Sequence, residues 1–141
     1  MTMSVHSFRI PVRTRGNNDV HDLTPAVREA ISRAGIASGV LTVFVPGSTA
    51  GITTIEYEEG AIADLRRTIE RLVPSDIRYD HDARWGDGNG FSHVRAALLG
   101  PSLGIPIVGG RLQLGTWQQI ILIDFDNRPR DREIIGQVVG V

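Results

Sequence analysis

Apolar positions change their period several times along this chain, and each change marks an element. Val5, Phe8, Ile10 and Val12 alternate imperfectly with polar neighbours, which predicts a strand over 5–12. The spacing then turns helical. Val27, Ala30, Ile31 and Ala34 share a face, Asp22 or Thr24 can cap the start, Pro25 suits the first turn, and Gly35 ends the helix. Val40 to Pro46 is a β-branched run that reads as a buried strand, followed by the small-residue turn Gly47-Ser48-Thr49-Ala50-Gly51 and a second strand from Ile52 to Tyr57. Ile62, Leu65, Ile69, Leu72 and Val73 return to helical spacing, and Pro74 stops that helix. Ser92 can cap a short helix through Leu99 with Val94, Ala97 and Leu98 inward. The last third is strand-like: Ile105 to Val108, a Gly109-Gly110 hairpin turn, Arg111 to Leu114, the strongest run from Trp117 to Phe125, a turn over 126–130, and Glu133 to Val139. There is no repeat, low-complexity tract or linker, so 1–141 reads as a single domain. The order of elements predicts an α+β fold with a largely antiparallel, sandwich-like sheet and two or three helices packed on it.

One stretch follows no period. His81-Asp82-Ala83-Arg84-Trp85-Gly86-Asp87-Gly88-Asn89-Gly90-Phe91-Ser92-His93 holds two of the four histidines, two aspartates and an asparagine among three glycines. It reads as an irregular functional segment. Imidazole and carboxylate suit zinc and related metals, and glycine lets the backbone bring such groups together. His81 and His93 are therefore either metal ligands or loop histidines that hydrogen-bond locally. Asp82 and Asp87 either complete the shell, orient a ring N–H, or are solvated turn carboxylates.

Other positions carry paired readings. Glu56 and Glu58 flank Tyr57, so a strand would put both on one face, over a cleft or over solvent. The 47–51 turn offers hydroxyls of Ser48 and Thr49 and backbone N–H groups to a phosphate, or is a plain hairpin turn. Arg95, near the start of a short helix, is either a diphosphate clamp or a solvent-facing residue. Trp117 either stacks on a heteroaromatic ring or anchors a core or interface, with Thr116 and Gln118 as polar contacts. His6 and His21 lie outside any cluster, and Arg128, Arg130 and Arg132 read as a solvated turn.

Composition narrows the chemistry. The chain has 141 residues, 41% hydrophobic and 22% charged, with a net charge of -1. That suits a soluble globular domain and gives no electrostatic pull towards nucleic acid or an anionic membrane. No run matches a signal peptide or a membrane span, so a cytoplasmic protein is the expectation. With no cysteine there is no disulfide, thiolate ligand or cysteine nucleophile. All 15 basic residues are arginine, which removes Schiff-base chemistry and leaves bidentate anion recognition.

Several segments taken together resemble the YjbQ-like family, the secondary thiamine-phosphate synthases. The carriers are Pro46-Gly47-Ser48-Thr49-Ala50-Gly51-Ile52-Thr53, Tyr79-Asp80-His81-Asp82, Asp87 with Ser92-His93, Leu98-Leu99-Gly100-Pro101-Ser102, Gly110-Arg111 and Gly115-Thr116-Trp117-Gln118. The resemblance implies an α+β homotrimer with a metal site near subunit boundaries, and a secondary activity on a small phosphorylated substrate. That activity joins a hydroxymethylpyrimidine diphosphate to a thiazole phosphate and releases diphosphate. It implies a divalent metal on His81 and His93, zinc before manganese, nickel or magnesium. Glu56 and Asp87 become the expected catalytic groups, and Ser48, Thr49, Asn89, Ser92, Arg95, Thr116, Trp117 and Gln118 the substrate contacts. Many relatives carry a histidine where this chain has Gly47. Imidazole ligands also sit poorly with magnesium-type diphosphate chemistry. A hydrolase using metal-activated water, and a trimeric metal- or ligand-binding protein without chemistry, therefore stand as alternatives.

Overall fold

The computed structural model describes residues 2–141. Two antiparallel sheets face each other, with helices packed against them. The larger sheet contains β1 (Ser4–Thr14), β3 (Ser38–Phe44), β5 (Ser102–Val108), β6 (Arg111–Leu112) and β8 (Arg130–Gly140), in the order β1-β8-β3-β5-β6. The smaller contains β2 (Asp19–Asp22), β4 (Ala50–Ile55) and β7 (Gln119–Asp124), in the order β2-β7-β4. The helices are α1 (Thr24–Ala34), α2 (Glu59–Leu72), α3 (Asp80–Trp85) and α4 (Gly90–Leu99). The α+β sandwich expected from the sequence is present, with four helices among the described residues where two or three were expected.

β7 explains the layering. Its run Ile120-Ile121-Leu122-Ile123 is fully buried on both faces, which is why it reads as continuous rather than alternating. Ile120 and Leu122 pack with Leu41, Val43, Ile107, Ile134 and Val138 of the larger sheet, and α1 closes the same cluster with Val27 and Ile31. Ile121 and Ile123, with Phe125 just past the strand, turn the other way onto Ile62 of α2 and Ala96 of α4. Each such side chain contributes about 1.5–3 kcal/mol on burial, so one strand joins both halves of the core.

Local chemistry sets the boundaries. Gly109 and Gly110 both have positive φ, as a two-residue hairpin between β5 and β6 requires. Glu58, exposed and outside any strand, caps α2 by accepting from the N–H groups of Gly60 and Ala61. Its carboxyl is held below the usual range by those bonds, Ala61 first.

Several expectations are corrected. The strand expected from Trp117 begins at Gln119, and Trp117 is 71% exposed in the preceding turn. The segment expected to be irregular contains α3, which buries no residue and therefore leaves no hydrophobic period. α4 starts at Gly90 rather than after Ser92, and its inward face is Phe91, Ser92, Arg95 and Ala96. Val94, Ala97 and Leu98 point outward because buried Arg95 occupies the face an apolar count gives to them. No helix among the described residues is long and apolar enough to cross a membrane.

Candidate functional site

One end of the sandwich gathers the polar residues. There β7 ends at Asp124, paired with Ala50 at the start of β4, and β8 begins at Arg130. The 47–49 turn forms one wall of an open pocket of about 550 Å³; α3 and the first turn of α4 form the other. Gly47, Ser48 and Thr49 line the first wall; His81, Trp85, Asp87, Asn89 and His93 line the second; Arg130 and Arg132 form the floor.

The two histidines meet. Their ring centroids are 4.2 Å apart at 47°. α3 ends at Gly86, whose φ of 70° lets the chain reverse so that α4 can bring His93 beside His81. Asp82 fixes that reversal by accepting from the Gly90 N–H at 2.8 Å. Asp87 Oδ1 lies 3.3 Å from His81 Nε2. That contact lacks hydrogen-bond alignment, so the buried Nε2 has no hydrogen-bond partner, and neither has the buried Asn89 Oδ1. Unpartnered buried polar atoms are costly, and these two are free to take a partner in the pocket.

The two adjacent imidazoles, one with a free nitrogen, supply donor atoms of the kind a zinc-type ion takes. Among the described residues no group of three His, Asp or Glu side chains converges well enough to hold a metal. Any remaining ligand positions would fall to water, substrate oxygens or another copy of the chain.

The floor is built on two buried aspartates. Arg132 donates Nε to Asp124 Oδ2 at 2.8 Å and Nη2 to Asp124 Oδ1 at 2.9 Å, and Nη2 also reaches Thr49 Oγ1 at 2.7 Å. Arg130 donates Nε to Asp126 Oδ2 at 2.7 Å. Thr49 Oγ1 donates to Asp126 Oδ2, and Asn89 Nδ2 to Asp126 Oδ1. Burial raises the Asp126 pKa, but the Asn127 N–H, Arg130, Asn89 and Thr49 outweigh it and hold the carboxyl below its ordinary range. Neither arginine belongs to the solvated turn expected from the sequence; only Arg128 stays exposed.

The expected site residues divide. Ser48, Thr49, His81, Asp87, Asn89 and His93 come together around the pocket. Ser92 lies beneath it, donating to the Phe125 carbonyl. Arg95 points the opposite way, into the α2–α4 junction, where it pairs with Glu70 and donates to the Val73 carbonyl and Asn18 Oδ1. It is only 4% exposed and helps close the end of α2 instead of reaching the pocket. Glu56, Thr116, Trp117 and Gln118 gather near the other end of β4, where Gln118 Nε2 donates to Thr54 Oγ1 at 3.1 Å. A second arrangement escaped the sequence reading: His21 Nε2 meets the buried Asp19 at 2.8 Å. The Arg-Asp alternation around 124–132 was the one signal for the floor, but alternating charges in a turn do not reveal which of them is buried.

The comparisons agree with this fold. The model of the family described as "UPF0047 protein YjbQ-like" matches residues 8–141. A UPF0047 protein of Methanothermobacter thermautotrophicus is 38% identical over 138 residues, covering 98% of this chain and 94% of that protein. One from Mycobacterium tuberculosis is 43% identical over 120 residues, covering 84% and 88%. A YbjQ-like protein of unknown function from Sulfolobus solfataricus has a similar solved structure, with a TM-score of 0.94, 30% identity, and 99% and 100% coverage. A YjbQ/UPF0047 protein from Clostridium acetobutylicum gives 0.85 at 32% identity, covering 93% and 98%. The chain belongs to the UPF0047, YjbQ-like family.

Proposed function

We propose that this member of the UPF0047, YjbQ-like family is a metal-assisted enzyme of small phosphorylated metabolites. Its reaction resembles the coupling of a hydroxymethylpyrimidine diphosphate to a thiazole phosphate. The observation that carries the proposal is the His81–His93 pair, with its buried and unpartnered Nε2, facing a hydroxyl-bearing turn across an open pocket. A divalent ion, zinc before manganese, nickel or magnesium, would be held by these two imidazoles and would neutralise phosphate oxygens. Ser48 offers its hydroxyl to the substrate, while Thr49 is committed to Asp126 and Arg132 and acts by fixing the wall. Asn89 Oδ1 accepts from a substrate N–H or O–H. Asp87, half-exposed at the mouth, carries a proton or opposes positive charge on the substrate. We further propose a homotrimer, in which the exposed Trp117 end of one copy meets a neighbour.

Hydrolysis by metal-activated water is the second reading, favoured by Asp87 Oδ1 at 3.3 Å from His81 Nε2, which would set a carboxylate base close to an ion held there. Elemental analysis of tag-free protein beside His81→Ala and His93→Ala tests the metal. Stoichiometric metal in the parent, lost from both variants, is expected. A parent that takes up no zinc, manganese, nickel or magnesium, or variants that keep their metal, would overturn the proposal. Incubating the loaded protein with both heterocyclic phosphates then separates the readings: coupling releases diphosphate and joins the rings, whereas hydrolysis consumes one substrate alone.

A further inference from the structure

The orientation of Arg132 has a use beyond holding Asp124. Its Nε and Nη2 edge is docked on a carboxylate that is fully buried, and its side chain is 9% exposed. The remaining nitrogen, Nη1, has no acceptor among the described residues and lies on the pocket side, beside Gly47. Arg130 repeats the arrangement on Asp126, with Nε and Nη2 on one carboxylate oxygen and the side chain 32% exposed to the same pocket. Each positive charge is balanced from behind. The floor thus contributes little net charge, but it presents guanidinium donors already locked in direction. Such donors recognise an oxyanion by geometry, at little cost in side-chain ordering.

Gly47 keeps this edge open. A Cβ built there would lie 3.0 Å from Arg132 Nη1, and φ is +111°, a conformation that side chains rarely adopt. A larger residue at this position would cover the guanidinium edge.

We propose that Arg132 Nη1 and Arg130 form the seat for a phosphate or diphosphate group, and that Gly47 is the residue that admits it. The proposal deepens the functional reading above, resting on it only in taking this pocket as the substrate site. The test is calorimetric titration of inorganic phosphate and diphosphate into the tag-free protein after treatment with a chelator. Diphosphate is expected to bind. Arg132→Lys keeps the charge but loses the fork, and should weaken binding by about tenfold or more. Because Asp124 is buried, that variant can fail to fold. Gly47→Ala removes no ion-pair partner, although its Cβ presses on Arg132 Nη1; it should weaken binding comparably, with thermal unfolding confirming a folded protein. Absence of binding to the parent, or unchanged affinity in folded Gly47→Ala, would overturn the seat. Either result leaves the metal question to the elemental analysis, so the two proposals fail separately.

Discussion

Residues on this chain matter by what stands behind them. Asp126 is ionised in the interior because four donors outweigh its desolvation. Its folded pKa lies below the unfolded value, so its contribution to stability is complete above the unfolded value of about 4 and is lost as pH falls through the folded one. Urea unfolding from neutral pH down to pH 2 should therefore show a fall in stability at the acid end. The fall should be shallower in Asp126→Asn, which is also less stable at neutral pH. Equal acid slopes in the two proteins would contradict this. Asp19 adds to the same slope: burial raises its pKa, but the Arg15 N–H and His21 more than compensate.

Elements were legible where burial left a pattern. β7 is apolar on both faces and was readable, as was the Gly109-Gly110 hairpin, whose backbone needs glycine. β2 was not, because Asp19-Val20-His21-Asp22 carries three polar residues in four positions. α3 was not, because none of its residues is buried. The inward face of α4 was misread because a paired arginine can be as buried as a leucine, a property that hydropathy does not encode. The same blindness hid the pocket floor, while the wall residues were found from their chemistry. α3, fixed chiefly by Asp82 and the histidine contact, should open alone. In native-state hydrogen exchange, amides of 80–85 should exchange through local opening and those of 120–123 only with global unfolding. Equal protection of the two segments would refute this.

At the scale of the molecule, motif residues stand in two groups, one around the pocket and one near the far end of β4. The proposed homotrimer gives the second group a role, with Trp117, 71% exposed, as an interface anchor. Sedimentation equilibrium should return three times the 15.4 kDa chain mass; a monomer mass would remove that role.

The buried pairing beneath the pocket also limits how this protein can change. Removing Arg132 leaves the Asp124 charge buried with only the Thr14 hydroxyl and the Asp126 N–H on it, and removing Asp124 leaves a buried guanidinium without its carboxylate, each at a cost of about 3–5 kcal/mol. A lineage crossing that gap one substitution at a time passes through a protein that barely folds. Ser48, Trp85 and Asp87 of the walls carry no such debt to the core. New substrate preferences on this scaffold should therefore arise by drift in the walls above an unchanging floor.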